Sequence, residues 1–154
     1  MPRHDDILTL ASGTLEHHVV MAPDHPLAAA RTLRLADLAD QPLALPDARY
    51  GVRQALDAAA RQQGVRLTPT FHASSLETQK ALAMAGVVVL VLPPMAVARE
   101  CCAGQLIGIP LQHGELLGAR VDLCLYRHRQ RSFATEACLS LLAEQFNRLN
   151  MPSA

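Results

Sequence analysis

The stretch SSLETQKALAMAGVVVLVLPP, Ser74 to Pro94, decides how the rest of the chain is read. It parses as cap, helix, turn, buried strand and stop. Ser74 or Ser75 can serve as N-cap, its hydroxyl oxygen accepting from a backbone N–H that a helix start leaves unpaired. Ser74 and Glu77 stand at capping-box spacing. Leu76, Ala83 and Met84 give an apolar stripe at helical period, and Gly86 is placed to end the helix. Val87 to Leu92 is an apolar run without alternation, the pattern of a strand covered on both faces and usually part of a parallel sheet. Pro93 and Pro94 stop it, because proline has no N–H for a ladder.

On the N-terminal side, Tyr50 to Gln63 is a helix with Val52, Leu56, Ala59 and Ala60 on one face and Arg53, Asp57 and Arg61 on others. Leu67 to His72 alternates but contains Pro69, which marks an edge strand. Leu43 to Leu45 is a short buried strand ended by Pro46 and Asp47. Leu35 to Leu38 is an amphipathic turn, and Leu27 to Ala30 a helical turn behind the Pro23–Pro26 loop. Ile7 to Ala11, turned by Gly13, and Leu15 to Met21 are the first strands. On the C-terminal side come a short helix, Met95 to Cys102, and strands Leu106 to Leu111 and Val121 to Tyr126. Ser132 caps a last helix, Phe133 to Leu149, striped by Ala134, Ala137, Cys138, Leu141, Leu142, Gln145 and Phe146. Met151 to Ala154 is a tail.

Alternating strands and helices argue an open α/β sheet with helices on both faces. In such sheets ligands bind beyond the carboxyl ends of the strands, where helix N-termini point. Two loops qualify, Pro46 to Gly51 and Ala73 to Thr78. Ser74, Ser75 and the free N–H groups behind them can hold a carboxylate or another anion, and Arg49 can add a charge-assisted contact. The plainer roles are a cap for Ser74 and a solvated side chain for Arg49.

Composition bounds the alternatives. The 154 residues fit about one domain, by the prior of roughly 100–200 residues each, and 50% hydrophobic content supplies a sizeable core. A net charge of zero gives no basic face for nucleic acid and no polybasic membrane anchor. No apolar run approaches the ~18 residues of a membrane span, and MPRHDD is no signal region, so the expected location is cytoplasmic. Cys101, Cys102, Cys124 and Cys138 have no CxxC spacing and read as buried reduced thiols, with no metal site. His17 and His18 are strand neighbours facing opposite sides, and His128 lies in an Arg-rich turn and is solvated. GxSxG, HExxH, GxGxxG and a P-loop are all absent, so no catalytic residues and no cofactor are nominated.

The run APDHPLAAARTLRLADLADQPLALPD, Ala22 to Asp47, resembles the crossover segment of LysR-type transcriptional regulators. There a strand ends in a proline loop with HPLA, followed by a leucine–alanine–aspartate–leucine turn and a short strand. Here these are His25 to Ala28, Leu35 to Leu38 and Pro42 to Leu45. Ser75 to Pro93 resembles the family's serine-capped helix, alanine–glycine turn and proline-ended strand. Gly104 to Leu111 resembles the returning strand, and Val121 to Leu149 the closing strand and helix. One departure is Val88, where the family commonly has a second glycine.

The resemblance implies an effector-binding domain of type 2 periplasmic-binding-protein-like fold, with one complete subdomain and part of the second. Residues 1–21 would be partial subdomain I, 22–110 subdomain II, 111–150 the return to subdomain I, and 151–154 a tail. It implies a small-molecule effector, often a carboxylate or aromatic acid, in the cleft between subdomains. Effector-wall positions carried over are Arg49, Tyr50, Gly51, Ser74 and Ser75. It implies a homo-oligomer, hinge closure around the effector, and DNA contact only through an N-terminal helix-turn-helix that this chain lacks, together with the first strand–helix units. Tyr50 would stack on an aromatic ligand or donate its hydroxyl, or else simply pack. The alternatives are a cytoplasmic solute-binding module without a DNA partner and an enzyme built on the same fold, which would need an acid–base group in the cleft. Missing strands would leave an open sheet edge and uncovered apolar surface, hence self-association.

Overall fold

The computed structural model describes residues 6–116, 119–127 and 132–149. The elements are β1 (Ile7–Leu15), β2 (His18–Met21), β3 (Leu43–Leu45), α1 (Gly51–Gln62), β4 (Pro69–His72), α2 (Leu76–Met84), β5 (Leu90–Leu92), α3 (Ala98–Cys102), β6 (Ile107–Pro110), β7 (Ala119–Tyr126) and α4 (Phe133–Leu149). Turns of 3-10 helix occupy Pro26–Ala29, Leu35–Leu38 and Pro94–Val97. The tail and His128 lie outside the described residues. Two compact units emerge, one of Met1–Leu15 with Arg120–Ala154 and one of Glu16–Ala119.

In the larger unit β2 is antiparallel to both β5 and β6, while β3 and β4 are parallel. One parallel bridge, Leu43 to Val89, joins the two ladders. Around it the Ala44 N–H donates to the Val89 carbonyl at 3.1 Å and the Val89 N–H to the Pro42 carbonyl at 2.8 Å. The strands therefore run β4-β3-β5-β2-β6. Two features differ from the sequence reading. β2, grouped there with the first piece of chain, pairs on both sides within this sheet, between β5 and β6. The apolar run Val87 to Leu92 sits in a mixed sheet, parallel to β3 and antiparallel to β2.

Its regular strand also begins late, at Leu90, for a local reason. Gly86 takes a left-handed φ of 70°, which glycine adopts without a Cβ penalty. The Gly86 N–H donates to Ala83 and the Val87 N–H to Leu82, closing α2 as a Schellman motif. Val87 thus gives its N–H to the helix end and not to a strand.

Alternate side chains of each strand go to opposite faces, and both faces are covered. Val19, Met21, Leu43, Leu45, Val89 and Val91 join Leu56 of α1 and Leu35 and Leu38 of the 3-10 turn in one buried cluster. Val20, Ala44, Val88 and Leu90 join Ala83 of α2 and Val97 in the other. This two-sided burial is why the strands read as continuous apolar runs.

The smaller unit pairs β1 with β7 and packs α4 against β1. Ser12 Oγ donates to Asp122 Oδ1 at 2.5 Å, and the Arg127 N–H to the Asp6 carbonyl at 2.8 Å. α4 has the bounds that the sequence suggests, but its expected stripe faces solvent. Leu139, Ala143 and Phe146 are partly buried, whereas Ala134, Ala137, Cys138, Leu141 and Leu142 are exposed, Leu141 at 63% and the neighbouring Phe133 at 91%. All four cysteines are free. Cys101 is half-buried and the other three are exposed, which corrects the expectation of buried thiols.

His18, at the start of β2, packs so closely on β6 that a Cβ at Gly108 would stand 3.3 Å from its Nδ1. Burial pushes its pKa below the usual 6.5, against smaller opposing effects of Glu16 and Gly108. The folded state therefore holds fewer protons than the unfolded chain. Stability should be full above pH 6.5 and decline as pH falls from there to the lowered folded value. Urea midpoints from pH 7.5 to 5 check this, and His18→Gln should flatten that part of the profile; an unchanged slope contradicts it.

Candidate functional site

The parallel neighbours β3 and β4 end side by side, Leu45 opposite His72, and the Ala73 N–H reaches the Leu45 carbonyl at 3.4 Å. Each strand leads through a short loop into a helix, β3 into α1 and β4 into α2. These helices bury their residues in opposite clusters, Leu56 in one and Ala83 in the other. Two helix N-termini, each with free N–H groups and a positive dipole end, therefore open at one end of the sheet. All five residues carried over from the sequence lie in or beside these two loops.

Arg49 is 88% exposed and folds back on Asp47, its backbone N–H and its Nε each 3.0 Å from Oδ1. The Arg49 backbone N–H, and then its guanidinium, hold the Asp47 carboxyl below the usual carboxylate range, with His72 adding a smaller effect. Tyr50 is the N-cap residue of α1; its side chain makes no capping bond and is 48% exposed. Gly51 opens the helix, and a Cβ there would meet nothing within 4 Å, so this glycine leaves open room. Ser74 is exposed. Ser75, not Ser74, caps α2, its Oγ accepting from the Thr78 N–H at 3.3 Å. The residue at capping-box distance is therefore Thr78, and the Ser74–Glu77 box is not formed.

The buried face of α2 is the main feature that sequence reasoning missed. Leu76 and Met84, expected in its apolar stripe, are 38% and 39% exposed; the buried residues are Gln79, Lys80 and Ala83. Lys80 Nζ lies 2.8 Å from Glu77 Oε1 and 2.9 Å from Glu100 Oε1 on α3. The hydrogen bonds to Glu77 and Glu100 raise the Lys80 pKa, and Lys80 in turn lowers that of Glu100. Lys80 thus neutralises Glu77, the carboxylate in the first turn of α2, and ties α2 to α3. Its partner Glu100 is twenty residues away in sequence, so only the spacing of Glu77 and Lys80 signalled any of this. Arg53, off the apolar face of α1 as its spacing suggests, pairs with Asp57 at 2.9 Å and donates to the Pro46 carbonyl at 3.3 Å. Among the described residues, no three His, Cys, Asp or Glu converge as a metal-ligand set, and no helix is long and apolar enough to cross a membrane. An open groove lined by Asp57, Arg61, Gly64 and Arg66 sits at the other end of α1, away from the two loops.

A mixed sheet covered on both faces, with helix N-termini collected beyond its parallel strands, is an architecture that opens anion-accepting backbone groups at one sheet end. The model of the LysR substrate binding domain family matches residues 2–147, and the chain belongs to that family. Its fold is accordingly the type 2 periplasmic-binding-protein-like α/β fold. Solved structures agree at the level of fold. The effector binding domain of QuiR in complex with shikimate superposes with a TM-score of 0.72 at 16% identity, covering 96% of this chain and 69% of that one. The regulatory domain of CcmR from Synechocystis PCC6803 in complex with 2-PG gives 0.72 at 19%, covering 99% and 73%. HinK, a LysR family transcriptional regulator from Pseudomonas aeruginosa, gives 0.73 at 16%; the chain covers 97% of itself and spans only 52% of HinK.

Proposed function

We propose that this chain is the effector-sensing portion of a LysR-type transcriptional regulator. It would bind a small acid, a carboxylate or an aromatic acid, against the loops Pro46 to Gly51 and Ala73 to Ser75. The observation that carries the reading is the convergence of the α1 and α2 N-termini beyond the parallel pair β3 and β4. Shikimate and 2-PG in the related domains point the same way. In this reading Ser74, Ser75 and the first N–H groups of α2 receive the anion. Tyr50 flanks it with ring or hydroxyl, Gly51 leaves it room, and Arg49 turns from Asp47 toward it. In this reading the two loops bind the ligand without acting on it chemically, and DNA contact is made by a helix-turn-helix domain of the whole regulator.

A thermal-shift and calorimetric panel of small acids, shikimate among them, each paired with its methyl ester, tests this. At least one acid should stabilise the chain, by about 2.7 kcal/mol at a hundred times its Kd, and its ester much less. Equal binding of acids and esters, or turnover of a bound acid, would contradict the reading.

The reading includes homo-oligomerisation. Phe133, Leu141 and Leu142 of α4 are exposed apolar side chains on a unit of two strands and one helix. Sedimentation should show concentration-dependent association that Leu141→Glu abolishes; a monomer at every concentration would refute it.

A further inference from the structure

α1 and α2 open with the same device. The N-cap of α1 is Tyr50, and Gln54, four residues on, donates its side-chain amide to the Ala48 carbonyl at 3.2 Å. The N-cap of α2 is Ser75, and Gln79, four residues on, donates to the Ala73 carbonyl at 2.6 Å. In both helices a glutamine reaches back six residues, to the carbonyl two before the cap. Both carbonyls belong to the loops that leave β3 and β4.

Helix formation does not require either bond. The groups a helix start leaves unpaired are N–H donors, and these bonds satisfy loop carbonyls instead. Each orders a long side chain. Gln79 is 96% buried, at a site where an apolar residue would pack without needing a partner. The consequence falls on the loops. Fixing the carbonyl two residues before the cap fixes its peptide plane, and so the direction in which the chain enters residues 49–50 in one loop and 74–75 in the other.

We propose that Gln54, which is exposed, and Gln79, which is buried, are positioning residues with the same bonding pattern, each holding the loop before its helix so that the loop's donors face a ligand before it arrives. This rests on the reading of these loops as the effector wall. A wall already ordered spends no binding energy on its own ordering, so an anion that needs several donors at once gains most.

The experiment uses the whole chain with Gln54→Leu, Gln79→Leu and both together. Backbone amide order parameters of residues 47–50 should fall in Gln54→Leu, and of residues 73–76 in Gln79→Leu, from about 0.85 to below about 0.6. Each substitution should act on its own loop and leave the sheet unchanged. Shikimate and its methyl ester are the binding probes. The acid-to-ester affinity ratio should fall at least tenfold in the double variant, whereas general loss of structure weakens both probes alike. If Gln79→Leu does not fold, Gln79→Met keeps the length of the side chain and removes the donor without burying a charge. Loops that stay rigid, mobility spread evenly over the chain, or an unchanged ratio would overturn the proposal. If no acid of the panel binds wild type but each loop loosens as described, the loop clamps stand and the effector reading falls.

Discussion

Leu43→Ala should lower stability by about 2–5 kcal/mol, the cost of removing a large buried side chain that its neighbours cannot replace. Leu43 is fully buried in the cluster that also holds Leu45, Leu56 and Val89. It also stands at the seam of the sheet, paired with Pro69 on β4 and bridged to Val89 at the entry to β5. A cavity there removes contacts from both ladders at once. Urea unfolding should show a lower midpoint with an unchanged slope. A cost below about 1 kcal/mol would mean that the two ladders do not share one core.

Ser75→Ala should act twice. Loss of the hydroxyl that accepts from the Thr78 N–H costs about 1 kcal/mol of stability. In the proposed site the same hydroxyl meets the effector, so affinity for the acid should fall about tenfold, or ~1.4 kcal/mol. Ser75→Gly separates the two roles, since glycine at an N-cap costs only a few tenths of a kcal/mol. Calorimetry on both variants decides: affinity lost in both means that the hydroxyl touches the ligand, and affinity lost in Ser75→Ala alone means that it only caps.

What the sequence showed and what it hid divide along local and non-local lines. Leu43–Leu45 and Phe133–Leu149 have the bounds read from the chain, because prolines, a capping serine and a long apolar period are local signals. Both loops of the candidate site were legible for the same reason, each lying between a strand and a helix. β2 was grouped with the wrong neighbours because its antiparallel partners, Leu92 and Pro110 opposite His18, are far away in sequence. The stripe of Leu76, Ala83 and Met84 misplaced the buried face of α2. Counting apolar residues cannot reveal that Lys80 is buried through pairing with Glu100, or that Gln79 is buried to hold a loop carbonyl. The stripe of α4 was a true periodicity, but no periodicity says whether another layer exists to cover it.

In the proposed site an acid binds where the α1 and α2 N-termini open together. The most direct measurement is a nitrogen–proton correlation spectrum of the chain titrated with whichever acid most raises its melting temperature. The account predicts the largest shifts at the backbone amides of residues 45–51, Pro46 excepted, and 73–78, with the Arg49 side chain following. Shifts centred on the groove of Asp57, Arg61 and Arg66 at the far end of α1, with these two loops unmoved, would contradict it.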